Sequence, residues 1–432
     1  MDPVLTRYVR EPNGHTLDFF LQHQGYEGLK KALAMKPGDV IEMVKASGLR
    51  GRGGAGFPTG LKWQFVLKDT PLPKYIACNA DESEPGTFKD HVLMERNPHL
   101  VFEGCLIGCW AIGAKVAYIY IRGEFYHVQK VLEAELAKAY DKGYVGKNIL
   151  GTGFDCDIVI HRGAGAYEAG EETALIESFE GKRAQPRIKP PFPAVSGIYN
   201  CPTAVNNVET LCNVPGIVLN GVEWYTSLGP DKNFGPKLYC VSGHVKKPGV
   251  YEATMKTTLR ELIFDYAGGV RDGHRLKAVI PGGSSVPMLL PDQLDIPASF
   301  DDVAKAGSML GSAAIIVMDE TTCMVWVAKN LMYFYRHESC GKCTPCREGG
   351  DWLYKILTRL ENGEGSMRDI DLIASVAGNI AGKTLCPFGD AAAAPALTTV
   401  KNFRSEFEDH VREGRCTVPS DWRGWRVAAG AH

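Results

Sequence analysis

Gly48-Leu-Arg-Gly-Arg-Gly-Gly-Ala-Gly-Phe-Pro-Thr-Gly-Leu-Lys-Trp63 contains a G-x-G-x-x-G run at Gly51–Gly56. In a dinucleotide fold that run follows a strand and opens a helix, so what precedes it decides the fold. Here the preceding segment, Val40–Ser47, has helical periodicity and stops at Gly48, and another helical stretch begins near Thr59. The loop is therefore not a standard Rossmann opening. Glycine-rich backbone beside a helix start still offers N–H groups to a phosphate, and Arg50, Arg52 and Lys62 add positive charge. Gly51, Arg52, Gly53 and Gly54 are candidate contacts, with a tight loop carrying solvated arginines as the alternative.

Outward from this loop, residues 1–235 alternate helical and strand patterns, which predicts a mostly parallel sheet covered by helices. Strands are expected at Tyr75–Cys78, Lys115–Ile121 and Asp157–His161, with an amphipathic helix over Glu124–Lys142. The most apolar stretch, Cys105–Ile121, carries Lys115 and follows Glu103, and reads as a buried helix running into a strand, not a membrane span. Asn79-Ala-Asp-Glu-Ser-Glu-Pro-Gly86 leaves the first strand with Asp81, Glu82 and Glu84, and Gly163–Glu172 leaves another and opens a helix. Acids at the C-terminal ends of parallel strands can take ribose or ribityl hydroxyls, although clustered acids also occur as solvated faces. Phe57, Phe65, Tyr167 and Phe192 near these motifs are able to stack on flat rings, or else to pack in a core.

Residues 236–320 change character. Two short strands meeting near Pro248-Gly249, a helix-like Thr258–Tyr266 and a strand at Ala278–Pro281 predict a small β-grasp unit. From 321 to 432 the pattern is helical, with Ser339-Cys-Gly-Lys-Cys-Thr-Pro-Cys-Arg347 between helix-like Met324–Tyr335 and Arg347–Leu360, and Ala391–Lys401 continuing it. Cys340, Cys343 and Cys346, with the remote Cys386-Pro387, have the spacing of a [4Fe–4S] ligand set; structural zinc more often takes two separated C-x-x-C pairs. The tail from Pro419, with Trp422 and Trp425, has no periodicity and is expected as an interface extension or a frayed end.

The chain has 48 basic and 50 acidic residues, net −2, which gives no electrostatic case for nucleic acid or an anionic membrane surface. Thirteen cysteines with no secretory leader in Met1–Glu11 point to a reducing, cytoplasmic compartment, any membrane association being made by partners without direct insertion. Of the nine cysteines outside the cluster motif most are expected in cores, including Cys105 and Cys109, which share a helical face.

Taken with His161-Arg-Gly-Ala-Gly-Ala-Tyr167, Gly170-Glu-Glu-Thr173, Lys189-Pro-Pro-Phe-Pro193, Asn206-Asn-Val-Glu-Thr210 and Glu338-Ser-Cys-Gly-Lys-Cys-Thr-Pro-Cys-Arg-Glu-Gly349, these motifs closely resemble the NADH-binding flavoprotein subunit of respiratory complex I, from about Ala46 to Asp390. The resemblance implies a Rossmann-like α/β FMN-binding domain at 1–235, an SLBB-type β-grasp domain at 236–320 and a helical iron–sulfur domain at 321–432. It implies FMN contacts from Gly51, Arg52, Gly53, Lys62, Asn79, Asp81, Gly170, Glu171, Asn206 and Asn207, with Gly54 and Glu82 in the same cofactor-binding set. On the NADH side it implies Phe57, Lys62, Phe65, Glu84, Tyr167, Glu172, Lys189 and Phe192. Glu168-Ala169 stands where the family usually has Ile-Cys, an extra carboxylate expected near the flavin.

The implied reaction is hydride transfer from NADH to FMN, then single electrons to one [4Fe–4S] cluster and on to partner subunits and quinone. Glu84 is the candidate for proton handling, and Glu172 for preferring NADH over NADPH. The implied partners are a thioredoxin-like [2Fe–2S] subunit and a large multi-cluster iron–sulfur subunit, with the chain peripheral on the cytoplasmic side of the inner membrane. The alternative is the diaphorase subunit of a soluble NAD-linked hydrogenase or formate dehydrogenase. Those relatives often carry fused thioredoxin-like or ferredoxin-like domains, for which the segment before Gly48 leaves no room. A ligand-binding role for the β-grasp unit without catalysis would leave the four cysteines unexplained.

Overall fold

The structure, a computed structural model, describes residues 2–419. Four parallel strands, β1 (Tyr75–Ala80), β2 (Val116–Ile121), β3 (Asp157–Arg162) and β4 (Thr203–Asn207), form one sheet in the order β3-β2-β1-β4. The chain steps outward from β1 to β3 and then returns to lay β4 on the other side of β1. The order reverses between β1 and β4, and α/β sheets bind ligands in the crevice outside the strand C-terminal ends at such a switch point.

Side chains alternate across this sheet. Ile76, Cys78 and Ala80 of β1 and Ala117, Ile119 and Ile121 of β2 join the core shared with helices Pro98–Ile112 and Val208–Asn220. Ala77, Tyr120 and Val205 face Leu175, Ile176 and Phe179 of helix Glu172–Phe179. Burial on both faces is why these strands read as nearly continuous apolar runs. The apolar Cys105–Ile121 stretch is a buried helix that ends at left-handed Gly113 and passes into β2. β4 has no such signal. It ends in two asparagines, which strands disfavour, and its pairing with β1 overrides that propensity.

The second sheet contains β5 (Pro236–Gly243), β6 (Gly249–Thr254), β7 (Leu276–Ile280) and β8 (Ala314–Asp319), in the order β6-β5-β8-β7. Its central pair β5–β8 is parallel and its outer pairs are antiparallel, the mixed arrangement of a β-grasp unit. The expected helix Thr258–Tyr266 is a capped turn, Leu259–Glu261, that widens into a π-turn over Leu262–Tyr266. β8 also escapes the sequence pattern, the apolar run before its last residue Asp319 having a period that separates it from neither helix nor strand.

Helices Met324–Glu338, Thr344–Glu361, Met367–Ile380 and Phe388–Glu413 pack around a third core, the last one bending at Phe403. Ile280, Met288 and Met318 of the β-grasp unit meet Met324 and Val327 in an apolar seam that joins it to the bundle. Trp422 and Trp425 lie outside the described residues.

Candidate active site and cysteine centre

The glycine loop folds back on itself. Gly51 N–H donates to the Phe57 carbonyl at 2.8 Å, and Arg50 pairs with Pro58 in an isolated antiparallel bridge. A Cβ on Gly53 would come within 3.0 Å of Asn207 Cβ at the end of β4, whereas one on Gly54 would enter open space. The backbone N–H groups of Gly53, Gly54, Ala55 and Gly56 have no acceptor among the described residues. Unpaired amides in a loop at the crevice suit a phosphate, so the residues present fit an FMN phosphate.

Arg52 does not serve that purpose with its guanidinium. The residue is fully buried; Nη2 donates to Phe234 O at 2.7 Å and Tyr225 OH at 3.1 Å, and its own N–H donates to Thr210 Oγ1. Glu82 is likewise turned inward. Its carboxylate accepts from the N–H groups of Lys89, Asp90 and His91, and so closes the start of helix Asp90–Arg96. In both cases the fold supplies hydrogen-bond partners to a buried charge, so any contact these two residues make to a ligand is left to their backbone.

Asn79 and Asp81 leave β1 at the crevice. Asn79 Nδ2 donates to Gly170 O at 2.9 Å and its Oδ1 accepts from Asp81 N–H, while burial pushes the Asp81 carboxyl up to about 7. At the end of β4, Asn206 Oδ1 accepts from Trp63 Nε1 at 2.9 Å, and Asn207 caps helix Val208–Asn220 through Thr210 N–H. The asparagines thus fix the two strand ends between which the crevice lies.

Glu171 caps helix Glu172–Phe179 by accepting from Thr173 and Ala174 N–H. Lys62 Nζ lies 3.1 Å from Glu172 Oε2, and Lys189 Nζ reaches Glu171 at 2.8 Å and Glu172 at 3.1 Å. Burial opposes ionisation of Glu172, but the two lysines outweigh it and hold the carboxyl below its ordinary range. Phe57, Phe65 and Phe192, close in sequence to Lys62 and Lys189, are exposed by 43, 56 and 57%, aromatic surface that the protein's own core does not use.

Glu84 sits where the three units meet. Its carboxylate accepts from Tyr167 OH at 2.6 Å and from Ser285 N–H at 2.8 Å; Ser284 Oγ, 3.3 Å away, is also 2.6 Å from Tyr335 OH. Gly283, at φ +98°, lies so close that a Cβ would approach Glu84 Cγ to 2.5 Å. Burial raises the Glu84 carboxyl, and the Tyr167 hydroxyl partly offsets the rise. The 3-10 turn Tyr167–Gly170 links this corner to the cysteines: Tyr167 bonds Glu84, Cys386 Sγ donates to Glu168 Oε1 at 3.2 Å, and Gly170 accepts from Asn79. The departure residue Glu168 lies against a cysteine of the centre, while Glu171 turns to cap the following helix.

Cys340 and Cys343 occupy the turn between helices Met324–Glu338 and Thr344–Glu361, Cys346 lies in the first turn of the latter, and Cys386 stands just before the last helix. All four are partly exposed, unlike the other nine, which are buried. Ser339 Oγ lies 3.3 Å from Cys346 Sγ, and Leu385 N–H points at Cys343 Sγ at 3.3 Å. Burial and the neighbouring thiols raise Cys346 to about 11 when no metal is bound. Four convergent sulfurs with donors already aimed at them fit a [4Fe–4S] cluster. The loop is docked on the nucleotide unit by Gln185 Nε2 to Cys340 O and by Lys342 Nζ to Pro186 O.

Sequence reading missed the charged contact beneath the glycine loop. Lys89 Nζ lies 2.8 Å from both Asp90 and Glu209, and Lys237 Nζ of β5 lies 2.7 Å from Glu209. Burial alone would raise Glu209, yet Lys237, Lys89 and Arg52 pull it down to about 2. Only Glu209 falls inside a recognisable motif; Lys89 and Lys237 stand singly among residues that give no sign of burial.

A glycine loop and acids on a parallel-sheet edge, a β-grasp unit and a four-cysteine helical bundle define a flavin- and iron–sulfur-containing nucleotide oxidoreductase component. Models for the Nuo51 FMN-binding domain, the SLBB domain and the NADH-ubiquinone oxidoreductase-F iron-sulfur binding region match residues 44–216, 237–317 and 326–410. The chain is 53% identical over 416 residues to the second F subunit of the NADH-quinone oxidoreductase of Rhizobium meliloti, covering 96% of this chain and 99% of that one. The F subunit of the Streptomyces coelicolor NADH-quinone oxidoreductase is 52% identical, with 98% and 94% covered. The chain belongs to the family of NADH-quinone oxidoreductase F subunits. Among solved structures, a chain of an NAD+-reducing [NiFe]-hydrogenase in the air-oxidised state matches with a TM-score of 0.81 and 35% identity, over 92% of this chain and 67% of that chain.

Proposed function

We propose that this chain is the NADH-oxidising subunit of an NADH–quinone oxidoreductase, with FMN and one [4Fe–4S] cluster as its cofactors. When bound, FMN accepts hydride from NADH and the cluster accepts electrons one at a time. The chain's own residues bind and orient. The free amides of Gly53–Gly56 take the flavin phosphate, and Asn79 and Asp81 take polar groups of the ribityl chain. Phe57, Phe65 and Phe192 offer ring surface to NADH, and Glu172, steadied by Lys62 and Lys189, accepts from ribose hydroxyls. Glu84 holds or releases a proton at its carboxylate, with Tyr167 OH setting how readily it does so.

The observation that carries the reading is the turn Tyr167–Gly170, which touches Glu84, Asn79 and Cys386 within four residues and so brings the nucleotide side and the cysteine side together. The hydrogenase diaphorase reading is the weaker one, since 53% identity over 99% of the Rhizobium meliloti relative exceeds 35% over 67% of the hydrogenase chain. Membership of a multi-subunit complex follows from the family. Its immediate partners we take to be a thioredoxin-like [2Fe–2S] subunit and a large multi-cluster iron–sulfur subunit, which hold the chain at the cytoplasmic face of the inner membrane. No described helix is long and apolar enough to cross a membrane.

The test is anaerobic preparation, with an expectation of about four iron and four sulfide per chain and one FMN. Cys343→Ser should lose the cluster's EPR signal and still oxidise NADH with an acceptor that takes electrons from flavin. Loss of that activity in a folded, FMN-loaded variant would contradict the division of labour.

A further inference from the structure

Cys323, Glu361, His410 and Cys416 come from four separate segments and meet at the end of the helical bundle remote from the Cys340 loop. Cys323 caps the start of helix Met324–Glu338, Glu361 closes helix Thr344–Glu361, and His410 lies in the last turn of helix Phe388–Glu413. Left-handed Gly414 then turns the chain so that Cys416 returns toward them. All four side chains are buried. Cys323 Sγ is 3.5 Å from His410 Nε2 and 3.9 Å from Glu361 Oε2, and His410 Nε2 is 3.7 Å from Glu361 Oε2. The ligand atoms of Cys323, His410 and Cys416 all lie within 4.8 Å of one another.

We propose that Cys323, His410 and Cys416, with Glu361 as the fourth ligand, hold a structural zinc ion distinct from the iron–sulfur centre. Bond lengths of about 2.3 Å to sulfur and about 2.0 Å to nitrogen give a tetrahedral S···N edge of about 3.5 Å, which is the Cys323–His410 separation. His410 is already oriented for it. Its Nδ1 lies 2.7 Å from the Glu406 carbonyl, the contact by which a ligating histidine donates its second N–H and turns the Nε2 lone pair to the metal. Two thiolates with an imidazole select zinc over magnesium or calcium, and an iron–sulfur cluster would want four thiolates. Cys323 and Cys340 are separated by a 15-residue helix, about 22 Å at about 1.5 Å per residue, so these ligands serve a different centre. The ion would clip three helix ends together, including the last helix beyond its bend at Phe403.

The full chain, purified with its cluster at about four iron per chain, is measured for zinc by mass spectrometry and by X-ray absorption at the zinc edge. The expected result is about one zinc per chain, with about two sulfurs near 2.3 Å in its first shell. Cys416→Ser and His410→Gln should each lower zinc at least tenfold with iron and FMN retained. Zinc absent from the iron-replete parent, zinc with only nitrogen and oxygen neighbours, zinc with four sulfurs, or a Cys323–Cys416 disulfide in the parent would each overturn the assignment. Should both variants fail to fold, the parent's absorption spectrum decides, because iron then occupies the other cysteine set.

Discussion

Two quartets, each of two lysines and two acids, differ only in their surroundings. The side chains of Lys62, Lys189, Glu171 and Glu172 keep 28, 30, 16 and 26% of their exposure, whereas Lys89, Lys237 and Glu209 keep none and Asp90 keeps 5%. Half-open ions can trade a partner for a ligand, because water and the ligand offer comparable hydrogen bonds. Sealed ions cannot, because losing one partner strands the other without solvent. Lysines and acids therefore suit ligand binding in one place and make a joint between sheets in the other.

The sharpest way to break this contrast is to remove one acid from each. Glu209→Ala leaves Lys89 and Lys237 buried without their shared carboxylate and should cost about 3–5 kcal/mol of stability in denaturant melts. Glu172→Ala should cost less than about 1 kcal/mol. Equal losses would mean that the two environments do not differ in kind. The sign with pH follows from the Glu209 carboxyl, held at about 2 against an ordinary value near ~4.3 in an unfolded chain. Its contribution, about 3 kcal/mol, is complete above the unfolded value and is lost as pH falls from there toward the folded one, so Glu209→Gln should flatten that part of the stability profile.

Next in size is nucleotide choice. The open quartet is neutral, two lysines against two acids, so like-charge repulsion of a 2′-phosphate is weaker than Glu172 alone would give. Removing Glu172 makes it net positive and takes the carboxylate from Lys62, while Lys189 keeps Glu171. A charge-assisted hydrogen bond to ribose is worth about 1.5–3 kcal/mol, so Glu172→Ala should lower kcat/KM for NADH roughly tenfold or more while that for NADPH rises. An unchanged ratio in a variant that keeps FMN and iron would remove Glu172 as the selector.

A smaller effect tests the corner shared by the three units. Tyr167→Phe deletes the hydroxyl that holds the Glu84 carboxyl down against burial. One hydrogen bond of about 1–1.5 kcal/mol corresponds to about one pH unit, so the acid limb of kcat/KM for NADH should move up by about that much if Glu84 acts as its carboxylate. An unmoved limb would leave Glu84 as a positioning residue.

How far the sequence could be read depended on the range of the signal. Local signals were legible: helical periodicity ending at Gly48, the apolar runs of β1 and β2, the cysteine triplet, and acids at strand ends. Pairing across the fold was not, since β4 becomes a strand through its register with β1, and Arg52 turns inward because Phe234 and Tyr225, more than 170 positions away in sequence, await it. Cys323 and Cys416 read as separate core cysteines for the same reason; nothing in either neighbourhood reports that His410 lies between them.

Glu168 stands apart from both quartets, an acid paired with a thiol and with no lysine or arginine within ion-pair distance among the described residues. With no metal bound, burial raises its carboxyl to about 7 beside the Cys386 thiol. A negative charge close to the cysteine centre disfavours adding an electron there, and Glu168→Gln should make the centre easier to reduce. A partly ionised, partly screened charge is worth on the order of 1 kcal/mol, or roughly 40 mV upward for one electron. EPR-monitored redox titration of the cluster-loaded protein at an alkaline and an acidic pH should find that shift larger at the alkaline one, where a native carboxylate carries its charge. A shift of equal size at both pH values would mean that the substitution acts through geometry at Cys386 and not through charge.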